Sequence, residues 1–259
     1  MSAVLHGRVA LVTGGGRGVG RTIAEALIAA GARAVIADSG TDDEGNGADP
    51  SLAAGVAKAL GDRAVAFTDS VNAPGAAKAA VDLAVRSFGS LDILVNGAAI
   101  HRDAPVLATD ARDWEAVIRA NMSTPFYLMA AAGTRMRNAS IVNVVPAGQD
   151  QVAAAAACAG LIGLTRAAAR ELAARGITVN AVAPGESGMA SALLVVALCS
   201  PAAAGITGRL LAFRDRELFL IGQSYPGTRL VGSSDEITPA LLLAALERAD
   251  AATTEGGLP

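Results

Sequence analysis

Near the start of the chain an apolar run, residues 8–13, ends in the glycine-dense turn Gly14-Gly15-Gly16-Arg17-Gly18-Val19-Gly20 and opens directly into a helical pattern, residues 18–30. A turn of this kind lets backbone amides approach an anion, while the helix dipole favours negative charge at the same place. The alternation continues with apolar runs at residues 34–38, 63–67, 92–96, 140–145, 177–182 and 206–213. Helical patterns separate them, at residues 51–60, 76–88 and 114–136 and in an alanine-rich stretch reaching about residue 175. Strands apolar on both faces and spaced by helices imply a parallel sheet covered on both sides. The expectation is an α/β fold, a Rossmann-like doubly wound parallel sheet with helices on both faces and a short C-terminal helical extension. One domain spans residues 1–259, with a core of about 5–215 and the extension over 216–259. In the extension Thr238 reads as an N-cap and Pro239 as the first position of a helix over residues 240–250, with 253–259 a loose end.

Hydrophobic residues make up 52 % of the chain and charged residues 17 %, so a membrane span has to be weighed. The best candidate, residues 187–208, is interrupted by Pro201 and Gly205, and its densest stretch falls well short of the ~20 residues a span needs. A buried helix followed by a buried strand is expected there, and no membrane partner. The first residues carry neither a basic region nor a long apolar one, so no secretory leader is expected and the cytoplasm is the default. Cys158 and Cys199 make no disulfide framework, and with only His6 and His101 beside them a metal site is not expected. A net charge of −3, 3 % aromatic residues and no basic stripe argue against nucleic acid.

Thr13, Gly14, Arg17, Gly18, Val19 and Gly20 form a candidate cradle for a pyrophosphate. Asp38 ends the second strand, about 20 residues further on, where a carboxylate can hydrogen-bond a ribose diol. The acidic segment Thr41-Asp42-Asp43-Glu44-Gly45 follows and would repel a 2′-phosphate, which favours NAD over NADP. Arg17 argues the other way. A tight turn and a polar loop with no ligand is the alternative reading.

With these segments in place the chain resembles the short-chain dehydrogenase/reductase superfamily over about residues 5–215. The resemblance rests on Thr13-Gly14-x-x-x-Gly18-x-Gly20, on Asp69 after the third strand, on Asn96-Gly97-Ala98-Ala99, on Asn121, and on Val179-Asn180-Ala181-Val182-Ala183-Pro184-Gly185. It implies that Asp69 binds adenine, that Asn121 holds a relay water, and that Pro184 and Gly185 stand beside a nicotinamide. The Ala37-Asp38-Ser39-Gly40 segment, Asp69-Ser70-Val71, Arg102-Asp103 and the pattern from Thr207-Gly208 to Thr238-Pro239 resemble one subgroup. It includes the hydroxyacyl-CoA dehydrogenase module of peroxisomal multifunctional enzyme type 2 and its bacterial relatives. That likeness implies an ancestry in β-hydroxyacyl or β-ketoacyl thioester chemistry.

The catalytic segment departs from the family pattern. Alignment on Ala159-Gly160-Leu161-Ile162-Gly163-Leu164 puts Pro146 at the serine, Ala154 at the tyrosine and Cys158 at the lysine. The loop 147–151 and the lid between Gly185 and Ser200 are both shorter than the family's. The only tyrosines are Tyr127 and Tyr225 and the only lysines Lys58 and Lys78, so no Tyr-x-x-x-Lys exists elsewhere. Three readings follow. One is a catalytically silent subunit that pairs, through the alanine-rich helix, with a competent paralogue acting on a β-hydroxy or β-keto acyl substrate. The others are an enzyme using His101, Asn121 or Cys158 as substitutes, or catalysing a non-redox step, and an NAD-binding regulatory protein. Cys158 is otherwise an inert buried thiol, His101 a loop residue, Asn121 retained structure, and Trp114 and Phe126 packing residues.

Overall fold

The computed structural model describes residues 4–102, 104–145, 151–185, 188–214 and 217–221. They fall in one compact unit, Met1–Ile221. The second unit, Gly222–Pro259, lies outside the described residues, and with it the expectations for Thr238, Pro239 and the terminal helix.

The strands are β1 (Val9–Thr13), β2 (Arg33–Ala37), β3 (Ala64–Phe67), β4 (Ile93–Asn96), β5 (Ser140–Val144), β6 (Thr178–Ala183), β7 (Leu210–Arg214) and β8 (Glu217–Ile221). The α-helices are α1 (Gly18–Ala29), α2 (Ser51–Leu60), α3 (Pro74–Phe88), α4 (Ala111–Ile118), α5 (Thr124–Arg135), α6 (Val152–Glu171) and α7 (Gly188–Leu198). The sheet order is β3-β2-β1-β4-β5-β6-β7-β8, parallel except for the antiparallel β7–β8 pair. The strand order reverses between β1 and β4, which opens a crevice at their carboxyl ends, the place where ligands bind in open α/β sheets.

The alternation of strand side chains divides the core in two. Val12, Ile36, Val95 and Val142 meet Ile23 and Leu27 of α1, Val56 of α2 and Val195 of α7 on one face. Leu11, Val35, Leu94 and Ile141 meet Val81 of α3, Leu128 of α5 and Ala168 of α6 on the other. The doubly wound fold expected from the apolar runs is the observed one.

Several local expectations shift. The helix expected over residues 114–136 starts earlier, because the Asp110 carboxylate accepts from the Asp113 amide at 2.7 Å and caps α4. A π-helical stretch, Arg119–Ser123, then separates α4 from α5. The alanine-rich helix ends at Glu171, followed by a short 3-10 turn at Ala173–Arg175. Strand β7 begins at Leu210 and not at residue 206. Strand β8 was not expected. It pairs along β7 and carries the sheet past residue 215, and its Leu218 and Leu220 are exposed at the sheet edge. Trp114 and Phe126 are more exposed than packing residues, Phe126 standing edge-on to Tyr127.

Among the described residues α6 alone is long and apolar enough, by length and composition, to cross a membrane. It lies against β6 and buries Ala153, Leu161, Thr165 and Ala168. Within residues 187–208 the expected helix is α7, which packs on α1 while Met189 and Leu193 stay exposed.

Candidate functional site

The glycine loop is fixed by close approach between the ends of β1 and β4. The Thr13 hydroxyl accepts from the amides of Gly97 and Ala98 at 3.1 and 3.2 Å, and can donate to the Val95 carbonyl. Gly14 has φ +66°, and a Cβ there would stand 2.9 Å from the Ala98 Cα. A Cβ on Gly20 would stand 2.2 Å from the Gly14 carbonyl oxygen. These glycines let α1 begin hard against the strand ends, with no side chain capping its first turn. Its free amides point into the crevice, which is the arrangement that receives a phosphate.

The crevice is a cleft of about 690 Å³. Thr13, Gly14, Arg17, Gly18, Val19, Gly20, Asp38, Asp69, Ser70, Ala98 and Pro184 line it, so most of the residues singled out from the sequence converge. Asp38 accepts from the Gly16 amide at 2.9 Å through one carboxylate oxygen and from the Gly40 amide at 2.8 Å through the other. Each oxygen keeps a lone pair for a ribose hydroxyl. Arg17 donates to the Thr41 carbonyl and pairs with Asp43 at 3.0 Å. The one cation in the glycine loop is therefore occupied by the acidic segment. The cradle, the uncapped helix terminus and the Asp38 carboxylate together fit a nicotinamide dinucleotide.

Asn96, Asn121 and Gly185 do not line the cleft. Asn96 lies inside the sheet and donates to the Asn143 side-chain oxygen at 2.7 Å, and Asn143 donates in turn to the Thr165 hydroxyl. Asn121 accepts from the Ile100 amide and donates to the Ile100 carbonyl, both at 2.9 Å. These two bonds hold the segment after β4 against the π-helical turn. Gly185 is required by packing, because a Cβ there would meet Phe213 at 2.8 Å.

Among the described residues, Val144, Val145 and Pro184 line the cleft at the ends of β5 and β6, while Pro146 lies outside them. Ala154 and Cys158 are buried and are not among the residues that line the cleft. Cys158 packs with Val145 and Ala181, and burial raises its thiol pKa. Strand β6 ends at Ala183 and α7 begins at Gly188, so α7 occupies most of the segment between Gly185 and Ser200.

His101 lines the mouth together with Thr41 and Gly45 of the acidic segment and with Arg102, which the sequence singles out for charge and for resemblance and not for position. Asn46, Arg112, Glu115 and Arg119 also line it, and no sequence signal points to them.

The family model for short chain dehydrogenases matches residues 8–192. The 3-oxoacyl-(acyl-carrier-protein) reductase FabG of Salmonella typhimurium is 37 % identical over 198 residues, covering 73 % of this chain and 78 % of the relative. The reductase of the same name from Staphylococcus aureus is 38 % identical over 185 residues, covering 68 % and 73 %. Among solved structures, a short chain dehydrogenase from Mycobacterium avium superposes with a TM-score of 0.85 at 30 % identity, covering 95 % of each chain. A short-chain dehydrogenase/reductase from Brucella melitensis gives 0.75 at 27 %, covering 83 % of this chain and 98 % of the other. With the family pattern matched over most of its length, this chain belongs to the short chain dehydrogenase family.

Proposed function

We propose that this protein is a cytoplasmic, NAD-binding short-chain dehydrogenase subunit, catalytically silent by itself, that assembles with a competent paralogue acting on a 3-hydroxy or 3-oxo acyl thioester. The observation that carries this reading is the contrast between the two ends of one cleft. The dinucleotide end keeps its glycine cradle and Asp38, whereas at the ends of β5 and β6 the described residues that line the cleft are the apolar Val144, Val145 and Pro184. Alanine and a buried cysteine stand where the family resemblance places tyrosine and lysine. Carbonyl reduction needs a proton donor beside the substrate oxygen. A phenol with a pKa of about 10 serves only with a nearby cation. General acid–base assistance is worth ~10²–10⁴-fold, so losing the pair leaves little turnover.

The acyl substrate class is supported by the 3-oxoacyl reductases among the relatives and by the subgroup resemblance around Asp38, Asp69 and Arg102. NAD is supported by Asp38 together with the Arg17–Asp43 pair. Assembly is supported by the small residues Ala159 and Gly163 exposed along α6. The test is to purify the protein from its native host and identify its stoichiometric partners by mass spectrometry. A co-purifying short-chain dehydrogenase with an intact tyrosine–lysine pair is expected. A homo-oligomer that reduces a 3-oxoacyl thioester unaided would overturn the proposal.

A second reading has one observation in its favour, since His101 lines the cleft mouth. It makes the chain an enzyme with His101 as proton donor, and it requires turnover by the pure protein that His101→Ala abolishes.

A further inference from the structure

Strands β2 and β4 are not neighbours, because β1 lies between them. Yet the loop that leaves β2 is docked on the segment that follows β4. The His101 amide donates to the Asp43 carbonyl at 2.7 Å. Arg102 donates through Nε to the Glu44 carbonyl at 2.8 Å, and its other end is held by Asp113 at 2.6 Å. A Cβ on Gly45 would lie 3.1 Å from Ile100 Cδ1, so the loop backbone rests on that side chain. To reach these partners the chain has to cross over the carboxyl end of β1, where the glycine loop sits. Arg17, at the mouth of α1, holds the crossing from below through the Thr41 carbonyl and Asp43.

The crossing is a preformed body. Its neck is closed by the Asp49 amide donating to the Ser39 carbonyl at 3.1 Å. Its tip is wound around the Asp42 carboxylate, which accepts from the amides of Glu44 and Asn46 at 3.0 and 2.8 Å. Thr41, Asp43, Gly45 and Asn46 line the same cleft as Gly14, Gly18 and Ala98. The loop and the phosphate cradle therefore face each other across one space.

We propose that residues 39–49 are a strap closed over the middle of the dinucleotide cleft, so that the dinucleotide is a slowly exchanging, resident ligand. The inference rests on the dinucleotide reading above and adds a kinetic property to it. A ligand in the cradle leaves only when the contacts to His101, Arg102 and Arg17 open together. A resident dinucleotide is what a silent subunit would use to hold its own shape, whereas a turning-over dehydrogenase has to release its cofactor in every cycle.

NADH is the probe. The purified full-length protein is loaded with NADH and chased with excess NAD in a stopped-flow instrument, with NADH fluorescence reporting release. The same is done for Arg102→Ala combined with Asp43→Ala, and for a chain with residues 41–47 replaced by two glycines; circular dichroism verifies folding. Release from the native protein is expected to take minutes, and the double variant to release at least tenfold faster. Hydrogen exchange supplies a readout independent of the variants: the His101 amide should be protected, and more so with NADH bound. NADH binding with release in milliseconds, or release within twofold of native in the folded double variant, overturns the strap and leaves the dinucleotide reading standing. Absence of NADH binding by the folded native protein overturns both.

Discussion

Gly20 approaches the Gly14 carbonyl so closely that a methyl group would overlap it, at 2.2 Å. No side chain lies there to yield, because both partners are backbone. Gly20→Ala should therefore push α1 off the end of β1, costing about 1–3 kcal/mol of stability and more than tenfold in NADH affinity. Urea denaturation and fluorescence titration check the two effects. The cysteines offer a second measurement at this scale. Cys158 is 3 % and Cys199 0 % exposed. Burial raises the Cys158 thiol pKa and pushes that of Cys199 up to about 12. Thiolate is the reactive form, so neither thiol should react with Ellman's reagent at pH 8 until the protein unfolds. Fast labelling of Cys158 in the native protein would revive it as a functional group. The positions of the glycine turn and of Asp38 were legible in the sequence because both stand at fixed spacing from strand ends. The role of Asn96 was not, since its residue type is the same whether the amide serves a ligand or another side chain such as Asn143. For Asn121 the sequence left two readings, a relay position or retained structure, and its side chain bonds the Ile100 backbone at the π turn.

Between α4 and α5 the helix widens into a π turn, and Asn121 sits inside it. Its side chain satisfies both backbone groups of Ile100, so it joins the helix to the segment that leads to His101. Asn121→Asp keeps an acceptor for the Ile100 amide but sets a carboxylate against the Ile100 carbonyl. It should cost at least as much as Asn121→Ala, about 1–3 kcal/mol for a buried backbone group left without a partner. Chemical denaturation of both variants gives the comparison, and equal stability to the native protein would show that the π turn holds without it. The sequence pattern for this region read as one continuous helix because apolar spacing scarcely registers a single inserted residue. Strand β8 escaped for a related reason. Its apolar residues, Leu218, Phe219 and Leu220, follow one another without alternation and lie exposed, so no buried face announced the strand.

For the whole molecule, stability should respond to pH at both ends. Asp42, Asp49 and Asp82 have pKa values lowered by, respectively, the Asn46 amide, the Ser51 hydroxyl and Lys78. A lowered native pKa gives stability that is present above the unfolded value near 3.8 and lost as pH falls through the native one. Cys199 acts in the opposite direction. Its native thiol stays protonated after the unfolded thiol ionises near 9.0, so stability falls as pH rises from about 9 and levels near 12. Urea midpoints measured from pH 8 to 11 should fall less steeply for Cys199→Ala than for the native protein, and parallel slopes would disprove the assignment.

The doubly wound sheet, the order of its elements and the place of the phosphate cradle were determined by the sequence alone. Apolar runs buried on both faces and a glycine turn before a helix leave few other ways to fold. That no Tyr-x-x-x-Lys occurs is likewise a property of the sequence. Only the tertiary structure decided which residues face one another across the crevice. Asn121 turns to Ile100, Cys158 turns to Val145 and Ala181, and the acidic loop crosses β1 to reach His101 and Arg102. Spacing along a chain sets which face of an element a side chain occupies, but contact between elements separated by another strand depends on sheet order and loop path. Those two quantities come into being only when the chain closes on itself.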